Sequence, residues 1–292
     1  DLLIRRTLPN MTGYEFVWTN LGATSNRGIE LTLNTVNISR KNFEWTTNFV
    51  FSRNKNKIVH LYRSDTDKDG KEDDDLGNRW FIGQPINVAF DYVFDGIYQQ
   101  GDEMPAGYEP GYVRLKDLNH DGKIDAEDRE VLGQTGQPKY RWGITNNLRY
   151  GNLTLSVFIN AMQGWIENIR NADYSVSGEN YPHRPLNMLD VDWWTEENRS
   201  NTRPSMVYPN PYGHGYYYKR DFIRLQDVSL TYGFPGNKIS RLGLANLRIF
   251  IAGKNLYTLT KWIGPDPESG ETNRSNFFPA ARSLTFGFNV GF

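Results

Sequence analysis

The stretch that decides the fold reads YRWGITNNLRY (140–150), GN (151–152), LTLSVFINA (153–161). In its first part Tyr140, Trp142, Ile144, Leu148 and Tyr150 alternate with Arg141, Gly143, Thr145, Asn147 and Arg149. Successive side chains of a strand point to opposite faces, so this segment has one greasy face and one polar face. Gly151-Asn152 is a two-residue hairpin turn. The return strand sets Leu153, Leu155, Val157, Ile159 and Ala161 against Thr154, Ser156 and Asn160. Residues that flank such a turn pair across it, so Tyr150 and Leu153 continue one apolar surface.

The same period of two recurs along the chain. Phe43, Trp45, Phe49 and Phe51 alternate with Glu44, Thr46, Asn48 and Ser52, and Ile29, Leu31 and Leu33 with Glu30, Thr32 and Asn34. Val228, Leu230, Tyr232 and Phe234 follow a phase slip near Gln226, which is the mark of a bulge. Leu247, Ile249 and Ile251 come next. The chain closes on Leu284, Phe286, Phe288, Val290 and Phe292.

Composition agrees with a wall between lipid and water. Only 38% of the 292 residues are hydrophobic, yet 14% are aromatic and the mean hydropathy is -0.64. No stretch approaches the ~18 apolar residues of a spanning helix. A chain like this meets a bilayer as strands, which satisfy their backbone polar groups only in a closed barrel. A net charge of -1, from 33 basic and 34 acidic residues, leaves no electrostatic footprint for nucleic acid. The absence of cysteine removes disulfides, thiol catalysis and cysteine metal sites. The chain opens on Asp1 and reads as a piece of something longer.

A soluble β-sandwich also alternates. Against it stand the aromatics at the ends of the apolar faces (Tyr140 and Tyr150, Phe43 and Trp45), placed as interfacial girdles require. Connections also fall into two classes, very short (39–42, 151–152) and very long (167–215, 261–281), as in outer-membrane barrels. If the chain ends on the periplasmic side, counting strands backwards puts 100–138 outside the cell. Segment 80–99 then starts and ends outside, although Val88, Phe90, Tyr92 and Phe94 alternate well. It is expected to extend or fold over the extracellular mouth. The fold class is therefore all-β, with about seven spanning strands and the tail of one more before Pro9.

Several stretches, in order and across nearly the whole chain, resemble one family, the SusC/RagA-like TonB-dependent transporters of Bacteroidetes. They are NLGATSNRGIELTL (20–33), IGQPINVAFDYVFDGIYQ (82–99), VRLKDLNHDGKIDAEDREVLGQTGQPKYRWGI (113–144), DWWTEEN (192–198), DFIRLQDVSLTYGFP (221–235), AGKNLYTLTKWIGPDPE (252–268) and LTFGFNVGF (284–292). The resemblance implies that residues 1–292 are the C-terminal portion of a large antiparallel transmembrane barrel of roughly 22 strands with long extracellular loops and a plugged lumen. It implies the Gram-negative cell outer membrane and its lipid, import of oligosaccharides or peptides, and a SusD-like surface lipoprotein partner. It also implies energy from the TonB complex through an N-terminal plug that nothing in this sequence matches.

One local motif points to a metal. From Asp117 the spacing is that of an EF-hand-type calcium loop: Asp117, Asn119 and Asp121 at positions 1, 3 and 5, and Gly122 at 6. The Lys123 carbonyl stands at 7, Asp125 at 9 and Asp128 at 12. Asp128 is one methylene shorter than the usual Glu, which makes it the weakest ligand of the set. The competing reading is an acidic solvated turn with Gly122 at positive φ. A second run, Asp65, Asp67, Asp69, Gly70, Lys71, Glu72 and Asp73, starts the same way but has Leu76 at position 12; with Asp74 and Asp75 following, it reads as an exposed acidic loop, and metal is the lesser alternative.

Catalysis finds no support. His60, His120, His183 and His214 have no ligand spacing, and no glycine-rich phosphate loop follows a strand. Glu196 and Glu197 are adjacent, so on a strand they would face opposite ways, unlike a glycosidase pair. Trp193 and Trp194 read as loop packing, and Tyr216 to Tyr218, beside Lys219 and Arg220, as an outer girdle. The chain is not expected to be an enzyme. The alternative to the importer is a secreted, calcium-clipped, carbohydrate-binding β-sandwich, although an aromatic end such as Phe292 suits outer-membrane assembly and is of no use to a sandwich.

Overall fold

The computed structural model describes residues 2–8, 10–169, 192–264, 266–269 and 280–292. Residues 170–191 of the 167–215 connection, with His183 among them, and residues 265 and 270–279 of the 261–281 connection therefore lie outside the described residues.

The described fold is almost entirely β. The strands are β1 (Leu2–Thr7), β2 (Phe16–Arg40), β3 (Phe43–His60), β4 (Val88–Tyr92), β5 (Phe94–Ile97), β6 (Val113–Leu115) and β7 (Arg129–Gln134). They continue with β8 (Tyr140–Tyr150), β9 (Leu153–Gln163), β10 (Ile166–Asn168), β11 (Tyr217–Lys219), β12 (Phe222–Gly233), β13 (Asn246–Thr260) and β14 (Ser283–Gly291). One antiparallel sheet runs in the order β1-β2-β3-β8-β9-β12-β13-β14, and its two edges are open. The pairs β4-β7, β5-β6 and β10-β11 form three small sheets at the end of the long connections.

Register proves the two faces. Phe43 pairs with Tyr150, Tyr150 with Leu153 and Leu153 with Tyr232, so the rings beside the short turns form one lateral row. Further up, Leu31 pairs with Phe51 and Phe51 with Trp142. The expected bulge is present: β12 shifts register between Leu225 and Asp227 against both neighbours. It keeps Leu225 and Val228 on the apolar side. That side stays uncovered. Leu284, Phe286 and Phe288 are 73%, 73% and 70% exposed, and Ile29, Leu31, Leu33 and Leu259 are exposed as well. A β-sandwich would lay a second sheet over this face; none does so among the described residues.

The apolar band has a defined height. On β3 it runs through Phe43, Trp45, Phe49 and Phe51, and the same face then carries Arg53, Lys55 and Lys57. A tilted spanning strand needs about 9–11 residues, which is the length from Phe43 to Phe51.

Segment 80–99 stays out of the large sheet, as its position between two outer ends required. Its residues instead form β4 and β5 in separate two-stranded sheets. Ahead of them, residues 82–84 run along the edge of β3 beyond the end of β8, joined to it by a single parallel bridge between Ile58 and Ile82. Gly83 N–H donates to the Ile58 carbonyl at 2.9 Å, and Ile86 N–H donates to Asn56 Oδ1 at 2.9 Å.

Candidate functional site

The small sheets and the loops around them build a cap with its own core. Ile97, Val113, Leu115, Trp194 and Tyr208 are buried together, with Tyr92, Tyr112, Ile124 and Tyr212 packed against them. Trp194 Nε1 donates to Gln99 Oε1 at 2.9 Å, and its ring lies flat on Gly111. A Cβ at Gly111, where φ is +93°, would stand 2.5 Å from Trp194 Cε3, so the close approach requires glycine there. The reading of Trp194 as loop packing holds. The girdle expected at Tyr216 to Tyr218 does not: Tyr216 is buried with Ile169 and Trp262, and Tyr217 donates its hydroxyl to Asp91 Oδ2 at 3.0 Å. Burial first, and then the neighbouring Asp91 charge, push the Tyr217 phenol well above its ordinary range. Alternation could not tell a girdle tyrosine from one drawn into a cap, because both need a ring with a polar tip.

A second knot ties the wall to the loop after β13. Arg224, on the polar side of β12, is 2% exposed and donates to both Asp266 oxygens at 3.0 Å and to Glu268 Oε2 at 2.7 Å. Asp266 also accepts the N–H groups of Glu268 and Ala280, so it pins the outgoing and returning ends of that connection together. Arg220 stacks on Trp165 at 3.8 Å, binds Glu167, and donates to the carbonyls of Pro267 and Glu268. Nothing in the sequence paired Arg224 with residues 42 and 44 positions away.

Both acidic loops adopt one winding. In 117–128, Gly122 N–H donates to Asp117 Oδ2, Asp121 N–H to Asn119 Oδ1 and Lys123 N–H to Asp121 Oδ1. In 65–73 the corresponding bonds run from Gly70 to Asp65, Asp69 to Asp67 and Lys71 to Asp69. Position 4 is left-handed in each (His120 φ 61°, Lys68 φ 62°), as is the glycine at position 6 (φ 81° and 82°). Among the described residues, three carboxylates converge only at Asp65, Asp67 and Asp73, whose ligand atoms lie within 4.8 Å of one another. Asp73 is the ninth residue of that loop. Weight placed on Leu76 at the twelfth made metal the lesser reading of this loop, although Asp73 stood in the run at the ninth.

Asp128 has a structural task. It is fully buried, and its two oxygens accept the N–H groups of Leu118 at 2.8 Å and Asp125 at 2.8 Å, which closes the loop on itself. Asp125 in turn caps the following helical turn by accepting Glu127 N–H. The bond from Asp125 N–H holds the Asp128 carboxyl below its usual range; burial opposes this, and the N–H of Leu118 adds to it. A depressed folded pKa stabilises above the unfolded value and is lost as pH falls through the folded one. The loop should therefore stay closed at neutral pH and open only below about pH 4. Hydrogen exchange of residues 117–128 down a pH series checks this, and Asp128→Asn should leave the loop open at pH 7.

On the polar face of the wall, a cleft of about 390 Å³ opens where residues 85–87 and 134–139 fold against β2, β3 and β8. Six carboxamides line it, Asn26, Asn54, Asn56, Asn87, Gln134 and Gln137, together with Lys139 and Arg141 and no carboxylate. Each amide offers both donors and an acceptor, which suits hydroxyl-rich or peptide-like ligands.

No family model matches the chain. TonB-dependent receptor P3 of Formosa agariphila is 30% identical over 315 residues, which takes in all of this chain and 31% of the receptor. TonB-dependent receptor P26 of the same organism is 31% identical over 317 residues, and TonB-dependent receptor SusC of Bacteroides thetaiotaomicron 24% over 308. The chain spans about a third of the length of these curated relatives. In fold it is similar to the RagAB peptide importer in its open-open state, with a TM-score of 0.76 at 21% identity over the whole chain and 31% of that structure's chain. The closed-closed state gives 0.71. Along the whole of its length, on the fold just described, the chain is similar to about a third of a SusC/RagA-like TonB-dependent receptor.

Proposed function

We propose that this chain supplies part of the wall and the extracellular cap of a Gram-negative outer-membrane importer. The importer would be powered through TonB, work with a SusD-like surface lipoprotein, and take up oligosaccharides or peptides without converting them. The observation that carries this reading is the eight-stranded sheet with one uncovered apolar face, an aromatic row beside the short turns and a folded cap on the long connections. Both open edges fit continuation into a closed barrel of roughly 22 strands. The carboxamide cleft offers such a substrate a polar contact beneath the cap. The curated relatives are named as receptors, which supports uptake without conversion.

The test is deletion of the full-length gene in its host, followed by uptake of labelled oligosaccharides and peptides. Loss of uptake of one class, restored by the gene on a plasmid, is expected, with the protein in the outer membrane as a heat-modifiable band. Unchanged uptake of both classes, or a protein that stays soluble without detergent, would overturn it.

A calcium ion in loop 117–128 belongs to the same proposal, as a structural clip on the cap. Asp117, Asn119, Asp121, the Lys123 carbonyl and Asp125 would hold it. Asp128, whose oxygens both accept N–H groups, would close the loop and ligate only secondarily. The open winding of the loop, with carboxylate oxygens turned inward onto its own N–H groups, supports this. Chelation with EGTA should speed proteolysis of the cap by at least about tenfold, and Asp117→Ala with Asp121→Ala should make the rate insensitive to calcium. An identical cleavage rate with and without calcium in the unaltered receptor would refute the clip. Asp65→Ala tells whether the second loop shares in the effect.

A further inference from the structure

Above the apolar band, the outward face of β2 and β3 carries four cations and, among the described residues of these two strands, no carboxylate. Phe51 pairs with Leu31 and Arg53 with Ile29; the next outward pairs are Lys55 with Arg27 and Lys57 with Ser25. Register is unbroken from Thr24–Ile58 to Val36–Thr46, so all of these side chains share the face of Phe49 and Leu33. Arg27, Arg53, Lys55 and Lys57 are exposed, and none has an ion-pair partner among the described residues. The Arg53 guanidinium lies 5.4 Å from the Tyr140 ring, at the upper border of the aromatic face. Residues two apart on a strand are about 7 Å apart, and strands about 4.8 Å, so the four charges fit within a patch of about 15 Å. At the level of Arg27, Lys55 and Lys57, the opposite, polar face of β2 and β3 is uncharged: Asn26, Gly28, Asn54 and Asn56.

We infer that this patch binds the phosphate groups of a phosphorylated glycolipid in the outer leaflet, whose acyl chains lie on Ile29, Leu31, Phe51 and Trp142 below. Four like charges held at one level repel one another unless anions lie among them. The anion must also carry a greasy tail, because the cations border directly on the apolar band and are reached from the bilayer. The long connections put this end of the wall outside the cell, where the leaflet lipid is the glycolipid. The inference rests on the barrel reading and its orientation.

The test uses the full-length receptor in detergent, with diphosphoryl lipid A, its dephosphorylated form and phosphatidylglycerol offered at equal concentration. Retained lipid is counted by mass spectrometry after gel filtration. The receptor should retain diphosphoryl lipid A in preference to both others. Retention should fall by about tenfold or more in the variant Arg27→Gln, Arg53→Gln, Lys55→Gln, Lys57→Gln, and at high salt. A control variant in the cap, Lys68→Gln, Lys71→Gln, Lys116→Gln and Arg199→Gln, should retain lipid as before. A heat-modifiable band shows that each protein is folded. Equal retention of the phosphorylated and dephosphorylated forms, equal retention of phosphatidylglycerol, or an unchanged quadruple variant would each overturn the inference. Failure of the barrel reading looks different: the unaltered receptor would give no heat-modifiable band at all.

Discussion

Asp266→Ala should free the connection after β13 while the wall stays intact. The substitution removes both bonds to Arg224 and the acceptor for the N–H groups of Glu268 and Ala280, and it leaves an arginine at 2% exposure with Glu268 and Thr258 alone. Breaking a buried pair from one side costs about 3–5 kcal/mol, since the surviving charge stays out of water. If that cost falls on local opening, proteolysis between residues 261 and 282 should speed up by more than about a hundredfold. The heat-modifiable shift of the barrel should hardly move, because the β12–β13 ladder does not depend on the loop. Asp266→Leu combined with Arg224→Met should cost less than the sum of the two changes, as expected of partners. An additive result, or a cleavage rate equal to that of the unaltered receptor, would show that the knot does not hold the loop.

Trp194→Ala should unfold the cap. The indole is 8% exposed among Ile97, Val113, Leu115 and Tyr208, and it spans two segments about a hundred residues apart in sequence. Truncating a buried tryptophan costs about 3–5 kcal/mol, and a cap built on two-stranded sheets has little to spare. Gly111→Ala attacks the same contact from the other side, by strain at positive φ and by collision with the ring. Both variants should lose hydrogen-exchange protection across β4 to β7 and residues 192–216, with the large sheet still protected. Protection lost equally in wall and cap would mean that they fold as one cooperative unit.

How much of this was legible depended on the range of the interaction. The wall was readable because alternation is a local, two-residue signal and because membrane and lumen impose opposite chemistry on its phases. Even the bulge at Gln226 showed as a phase slip. The cap was readable only by elimination, from the count of strand directions that kept 80–99 out of the bilayer. Its pairings, β4 with β7 and β5 with β6, join short strands through loops of varied length, and no periodicity announces them. Tyr216 was misplaced for that reason. The acidic loops fell between: the glycine and the carboxylates announced the winding, but whether three acids converge depends on the ninth residue and on side-chain direction, which spacing alone does not fix.

The length of β2 and β3 has a consequence for where the proposed importer would meet its cargo. The two strands stay paired over the 18 residues of β3, a run of about 60 Å, which at a tilt of about 45° rises roughly 40 Å. The apolar band of such a barrel is only about 25 Å tall. The mouth of the proposed importer would therefore stand on a parapet about 15 Å above the apolar band, through the headgroups and into the sugars that coat the cell. Nutrients would then be caught while still diffusing through the coat.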